Sequence, residues 1–235
     1  MSSSKVLSDS VKIPIGTVHE RLRENDATFL DGKLRSPEGI IIFAHGSGSG
    51  RHSPRNQFVA EKLNEDGLAT LLLDLLTADE EELDNQTRKL RFDIGLLSKR
   101  LISTINWITN NHDTRNLGVG LFGASTGAAA ALVAAAELPN TVCAIVSRGG
   151  RPDLAGKDVL KSVQAPTLFL VGGNDPQVVE LNESALKEMT NEKKKLTVIP
   201  GATHLFEEPG KIEQVARIAS GWFRCYFLIN KHKSQ

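Results

Sequence analysis

A serine, an aspartate and a histidine occur in that order, each after a short apolar run. Ser125 is the centre of "LFGASTG" (121–127), Asp175 lies in "GGNDPQ" (172–177), and His204 lies in "GATHLF" (201–206). A serine hydroxyl becomes an effective nucleophile when a base removes its proton and a third group orients that base. These residue types indicate nucleophilic acyl transfer.

The segment around Ser125 has the spacing Gly-x-Ser-x-Gly between a strand-like run, residues 117–123, and an alanine-rich helical run, residues 128–138. A sharp strand-to-helix turn exposes its central residue and needs neighbours nearly free of side chain, which Gly123 and Gly127 provide. The alternative is that Ser125 only caps the helix. The motif alone leaves both interpretations open, so the choice between them depends on whether the sequence also supplies an acid and a base.

The acid and the base are placed by the strands that precede them. Asp175 follows "APTLFLVGG" (165–173) and His204 follows "KKLTVIPG" (194–201), in the order of α/β-hydrolase triads. Asp153 is a second candidate for the acid, since some α/β hydrolases take it from one strand earlier. We predict Asp175, because Asp153 stands beside an arginine and is more simply a salt-bridged or helix-capping residue.

A glycine-rich loop, "FAHGSGSG" (43–50), follows another strand and offers backbone N–H groups to a developing negative charge. We predict an oxyanion hole from the N–H groups of Ser47 and Thr126, and we expect His45 to brace the loop. Such a loop can instead hold phosphate. However, the sequence has neither the Gly-Lys-Ser/Thr ending of a P-loop nor the Gly-x-Gly-x-x-Gly fingerprint.

Other polar segments have simpler interpretations. In "RHSPRN" (51–56), a helix start with Pro54 at its first position competes with binding of an acidic substrate group. Arg148 and Arg151 either line the mouth of the site or pair with carboxylates. We expect "DEEELD" (79–84) to be a solvated loop, and the glutamates at 207–208 to begin the last helix.

Short apolar runs alternate with helical periodicities, which predicts an α/β fold with a mostly parallel sheet and helices on both faces. Apolar residues at helical spacing over 90–108 and 212–226 predict two amphipathic helices. The first 38 residues contain two candidate antiparallel edge strands, 11–16 and 28–37. We therefore predict one α/β-hydrolase domain over 1–235, with its catalytic core at 39–228 and no large cap domain. The six strand runs span 39–46, 68–76, 117–123, 141–147, 165–173 and 194–201.

Composition excludes several classes of partner. The chain has 28 basic and 28 acidic residues, so it carries no net charge to attract nucleic acid or an acidic membrane. The longest apolar run, 128–136, is too short to cross a bilayer. No cluster has metal-ligand spacing, so we predict no metal and no cofactor. We expect a cytoplasmic protein, with both Cys143 and Cys225 reduced and buried.

Six segments together resemble the serine-type members of the dienelactone-hydrolase-related branch of the α/β-hydrolase superfamily. They are "FAHGSGSGRHSPRN", "LLLDLLT", "RFDIGLL", "GASTGAAAAL", "SRGGRPDLAG" and "PGATHLFEEPG". The resemblance runs from about residue 38 to 223 and implies that Ser125, Asp175 and His204 form the triad. Dienelactone hydrolase itself has cysteine at the elbow, so the resemblance implies acyl transfer and no particular substrate.

Two classes of function follow from these observations. The first is a serine hydrolase that cleaves a small carboxylic ester, lactone or thioester through an acyl-enzyme intermediate. The second is a non-catalytic binding or regulatory module of the same fold, because a fold does not prove an activity. The complete set of serine, aspartate, histidine and glycine-rich loop favours the first.

Overall fold

A computed structural model describes residues 8–18, 21–30 and 37–233, and within them an eight-stranded sheet has the order β1-β2-β4-β3-β5-β6-β7-β8. The six strands from β3 onward are mutually parallel. Each coincides with a predicted run to within a few residues, so the α/β prediction is confirmed. These strands are β3 (Gly39–Ala44), β4 (Ala69–Leu73), β5 (Gly118–Ala124), β6 (Val142–Arg148), β7 (Thr167–Gly172) and β8 (Lys194–Ile199).

The first two strands, β1 (Ser8–Val18) and β2 (Arg21–Leu30), extend the sheet beyond β4 in antiparallel fashion. The candidate edge segment 11–16 lies inside β1, the outermost strand, where Pro14 deprives no further strand of a hydrogen bond. The second candidate segment overlaps β2 only at residues 28–30. Residues 31–36 lie outside the described part of the chain.

Helices cover both faces of the sheet. The predicted helices at 90–108 and 212–226 are confirmed as α3 and α7, although residues 90–92 form a separate 3₁₀ turn before α3. The helices are α1 (Pro54–Glu65), α2 (Ala78–Thr87), α3 (Ile94–Asn110), α4 (Thr126–Glu137), α5 (Lys157–Ser162), α6 (Pro176–Glu188) and α7 (Lys211–Lys233).

The central strands are buried on both sides, which explains their nearly continuous apolar sequence. Successive side chains of β3 point to opposite faces: Ile40 and Ile42 join the core layer under α3 to α6, whereas Ile41 and Phe43 join the layer under α1 and α7. Each face is thus sealed by helices. The carboxyl ends of the strands remain the place where loops can carry functional groups.

Three expectations from the sequence are wrong. Residues 79–84 form most of α2, because Thr77 and Glu80 build a capping box at its start. The glutamates at 207–208 precede α7, which begins at Lys211. Neither cysteine is buried as expected, since Cys225 is exposed on α7 and Cys143 on β6 is only partly buried; both are free.

Candidate active site

Ser125 lies between β5 and α4 with φ 50° and ψ −120°, an unusual backbone conformation for a residue other than glycine. It occupies the N-cap position of α4, but its side chain makes no capping hydrogen bond. The capping interpretation is therefore wrong. A residue held in a strained conformation whose hydroxyl does not serve the helix is typical of a functional position.

Two glycines make this turn possible through close approach of backbone segments. A Cβ atom on Gly127 would lie 2.2 Å from the carbonyl oxygen of Ala44 at the end of β3. A Cβ atom on Gly123 would lie 2.4 Å from Cα of Ala128. No side chain fits at either position, because real Cβ atoms do not approach other atoms below about 3 Å. The sequence prediction of small flanking residues thus has a specific steric cause.

Asp175 and His204 are joined by a hydrogen bond at the same edge of the sheet. His204 Nδ1 lies 2.7 Å from Asp175 Oδ2. Asp175 lies three residues after the end of β7 and directly before α6, and its backbone is anchored because its N–H donates to Gly172 O at 3.1 Å. The contact selects the tautomer in which Nδ1 carries the proton, which leaves Nε2 as a base.

Backbone contacts bring the histidine to the corner that holds Ser125. A Cβ atom on Gly149 would lie 3.5 Å from His204 Nδ1, so the imidazole packs beside the chain that follows β6. The N–H of Ser125 donates to Arg148 O at 3.2 Å, and the N–H of Arg151 donates to Ser125 O at 3.0 Å. The segment 148–151 therefore contacts both the serine turn and the histidine.

The glycine-rich loop packs directly against Ser125, since a Cβ atom on Gly46 would lie 2.9 Å from its Cβ. His45 is buried and holds the loop. Its Nε2 accepts the N–H of Leu75 at 3.0 Å, and its Nδ1 lies 2.9 Å from Gly46 O. Burial lowers the pKa of His45, so the imidazole is neutral, as an acceptor at Nε2 must be.

Asp74 forms a second anchor for this loop, one that the sequence analysis missed. Its carboxylate accepts the backbone N–H of Arg51 at 2.6 Å and pairs with the guanidinium of the same residue. The signal was an aspartate at the end of the "LLLD" run, the carboxyl end of a buried strand, but nothing in the sequence connects it with residue 51. Loop 45–51 is therefore tied to the loop after β4 at both ends.

A cavity of about 230 Å³ lies beside the loop and is lined by both Ser47 and Thr126. Within the described residues, neither backbone N–H of this pair donates a hydrogen bond to a protein acceptor. Three carboxylates also line the cavity: Asp74 and Asp84 are paired with arginines, whereas Glu81 is exposed on α2. The arrangement offers two amide donors to a small molecule, in a wall that also holds the Asp84–Arg91 ion pair.

The remaining candidates have structural partners. Asp153 forms a bidentate ion pair with Arg151, at 2.9 and 2.7 Å, and makes no hydrogen bond with His204 or Ser125.

Ser53 caps α1 by accepting the N–H of Asn56 at 3.5 Å, with Pro54 at the first helical position. The helix-start interpretation of 51–56 is therefore correct. Arg148 is buried and forms no ion pair within residues 37–233.

Neither a membrane-crossing helix nor a metal-binding cluster is found in the described ranges. No helix there is long and apolar enough to span a bilayer. No group of three or more histidine, cysteine, aspartate or glutamate side chains is arranged to hold a metal ion.

The sheet order, the strand-to-helix turn at Ser125 and the loops at the carboxyl edge define an α/β-hydrolase fold without a large cap. Est1E from Butyrivibrio proteoclasticus has this fold: the two structures share a TM-score of 0.75 at 17% identity, over 94% of this chain and 99% of that one. The chain belongs to the dienelactone hydrolase family, whose sequence profile matches residues 28–232.

A more similar structure is that of dienelactone hydrolase from Anabaena variabilis. It shares 53% identity and a TM-score of 0.88, over 94% of this chain and 98% of that one. Two curated relatives from strains of Mycobacterium tuberculosis, each named "Putative phosphoribosyl transferase", are 59% identical over 187 residues, or 80% of this chain. The match spans only 41% of the length of those relatives.

Proposed function

We propose that the protein is a serine hydrolase that cleaves a small carboxylic ester, lactone or thioester through an acyl-enzyme intermediate. The observation that carries the proposal is the strained Ser125, with φ 50° and no capping bond, at the same sheet edge as the Asp175–His204 pair. The strained backbone of Ser125 costs folding free energy, and its hydroxyl makes no capping hydrogen bond that would offset this cost. Presentation of a nucleophile is the function that accounts for it.

In the proposed reaction, Ser125 Oγ attacks the substrate carbonyl while His204 Nε2 accepts its proton. Asp175 holds the imidazole at 2.7 Å and stabilises the imidazolium that forms. The carbonyl oxygen becomes an oxyanion, which accepts hydrogen bonds from the backbone N–H groups of Ser47 and Thr126. His204 then protonates the leaving group. In the second half of the reaction His204 takes a proton from water, the water attacks the acyl-enzyme, and His204 returns the proton to Ser125 Oγ as the acid product leaves.

The cavity beside the proposed oxyanion donors has room for a small group, and neither Ser125 nor His204 lines it. Its volume of about 230 Å³ is below the range of about 300–1,000 Å³ that is common for drug-sized ligands. The chain between β6 and β7 holds only a 3₁₀ turn and the six-residue helix α5, so it carries no helical cap. We therefore expect short acyl groups to be accepted better than long ones.

Phosphoribosyl transfer is a weaker proposal for this chain. That name belongs to relatives more than half of whose length lies outside the match. In this chain the one arginine or lysine that lines the cavity beside the glycine-rich loop, Arg91, is already paired with Asp84, so it offers little charge to a bound pyrophosphate. Titration calorimetry with phosphoribosyl pyrophosphate should give no binding heat at millimolar concentration.

Covalent labelling with a fluorophosphonate probe tests the proposal, since the probe reacts with an activated serine. We expect stoichiometric labelling of the wild type and of Ser162→Ala, a control at an exposed serine on α5. Labelling should be lost in Ser125→Ala and His204→Gln. An unlabelled wild type that is folded by circular dichroism would instead support the binding-module alternative.

We also propose that residues 1–235 form one domain, with 39–228 as the catalytic core, and that the protein acts in the cytoplasm without a cofactor. Limited proteolysis tests the first point. A single protected fragment that contains both Ser125 and His204 is expected, whereas two stable fragments would indicate two domains.

A further inference from the structure

Arg148, the last residue of β6, is a buried cation without an acidic partner. Its residue exposure is 6%, and none of the described carboxylates forms an ion pair with it. Nη2 donates to Oδ1 of Asn56 on α1 at 3.3 Å, and Nε is buried without a hydrogen-bond acceptor. The structure therefore keeps a charge in its interior with little compensation.

Such a charge is expensive, because burial removes it from water and no anion replaces the lost solvation. The pKa of Arg148 falls to about 10 for this reason, with the nearby charge of Arg55 as a second cause. An apolar side chain of similar size would make the folded state at least as stable. Fold stability therefore does not explain why an arginine stands there.

The guanidinium lies 5.9 Å from the centre of the Phe206 ring, within the range of a cation–π contact. Phe206 belongs to the loop between β8 and α7, residues 200–210, which we call the histidine loop because it carries His204. Phe206 is fully buried and has φ 57°, a conformation that a bulky residue adopts only under external constraint. The next residue, Glu207, pairs with Arg55 at 2.8 Å.

We propose that Arg148 is a positioning residue that holds the histidine loop through Phe206 and so keeps His204 in register with Ser125. The inference rests on the proposed function. Its geometric basis is that one residue contacts both halves of the site. The Arg148 carbonyl accepts the N–H of Ser125 at 3.2 Å, while its side chain contacts the loop of the base.

Arg148→Met tests this role, because methionine fills the space but removes the charge. We expect kcat for a short ester to fall about 10- to 100-fold, since a displacement of about 1 Å at a catalytic group costs that much. KM should stay within about threefold, and the melting temperature should be unchanged or higher. Arg217→Met, at an exposed position on α7, is the matched control and should behave as wild type.

A double-mutant cycle separates action through Phe206 from a general effect. If Arg148 acts through the ring, Phe206→Leu and Arg148→Met should each lower kcat, and the double variant should be little worse than either one. Full additivity would overturn the proposal. So would wild-type kcat in Arg148→Met, or a fall in kcat that follows a fall in melting temperature.

A proton NMR measurement makes the test independent of activity. The Nδ1–H between His204 and Asp175 should give a low-field, exchange-protected resonance in the wild type, assigned by its loss in His204→Gln. We expect it to broaden or disappear in Arg148→Met. If it persists unchanged, the inference is wrong even if the hydrolase proposal holds; if the resonance is lost but the wild type is never labelled, the hydrolase proposal alone fails.

Discussion

Replacement of Asp175 by asparagine is the most direct test of how the site is assembled. The carboxylate lies 2.7 Å from His204 Nδ1 and accepts the hydrogen bond that this nitrogen donates. The amide is nearly the same size, so the loop between Gly172 and α6 keeps its backbone hydrogen bond and the fold is retained. The substitution removes the negative charge at position 175 and allows an NH₂ donor to face the imidazole in place of a carboxylate acceptor.

An amide nitrogen facing Nδ1 favours the tautomer with its proton on Nε2, and that nitrogen then cannot accept the proton of Ser125. The corresponding change in a serine protease lowers kcat about 10⁴-fold, which equals about 5.4 kcal/mol of transition-state stabilisation. We expect a loss of the same order for Asp175→Asn. The short contact and its largely buried carboxylate argue against a smaller effect.

Asp153→Asn provides the comparison within the same chain. Its carboxylate pairs with Arg151, and the pair is about one third exposed, so the bond contributes only on the order of 1 kcal/mol to stability. We expect kcat within about tenfold of wild type.

The assay is steady-state hydrolysis of a short ester, with circular dichroism to confirm folding of both variants. If Asp153→Asn is the inactive variant and Asp175→Asn retains activity, the acid has been assigned wrongly.

Three further predictions concern substrate size, the glycine-rich loop and the turn at Ser125. Butyryl esters should be hydrolysed with kcat/KM at least about tenfold above decanoyl esters, and a preference for the long chain would contradict the small cavity. The pKa of His45 is lowered on folding from its ordinary value of 6.5, so below pH 6.5 the unfolded chain binds the proton and the folded chain does not. Urea unfolding should show wild-type stability falling by up to about 1.4 kcal/mol per pH unit down to the folded pKa, a slope that is weaker in His45→Gln. Gly127→Ala should lose about 3 kcal/mol or more by the same assay, because its Cβ would lie 2.2 Å from a carbonyl oxygen, whereas Gly221→Ala, with nothing within 4 Å on α7, should gain stability.

Local sequence was sufficient for the parallel sheet and for the residues of the candidate triad. Strands buried on both faces are apolar throughout, so their ends can be read directly, and function in an α/β sheet concentrates at carboxyl ends. The Gly-x-Ser-x-Gly spacing pointed to the turn at Ser125 for a similar reason, since the constraint acts between neighbours in the chain. In contrast, the exposed acidic residues of α2 lack an apolar period and so have the pattern of a loop, and the start of this helix depends on the capping box of Thr77 and Glu80.

Contacts between distant segments had no signature in the sequence. Asp74 anchors Arg51 across 23 residues, and Asp175 meets His204 across 29, but a carboxylate has the same local pattern whether it orients a base, pairs with an arginine or faces water. Arg148 and Phe206 are likewise joined only by the packing of β6 against the histidine loop. Backbone periodicity is set by residues a few positions apart, whereas the environment of a charge is set by whatever the fold brings beside it. The elements and the candidate nucleophile were therefore readable from order and spacing, but the partners of each charged group required the folded chain.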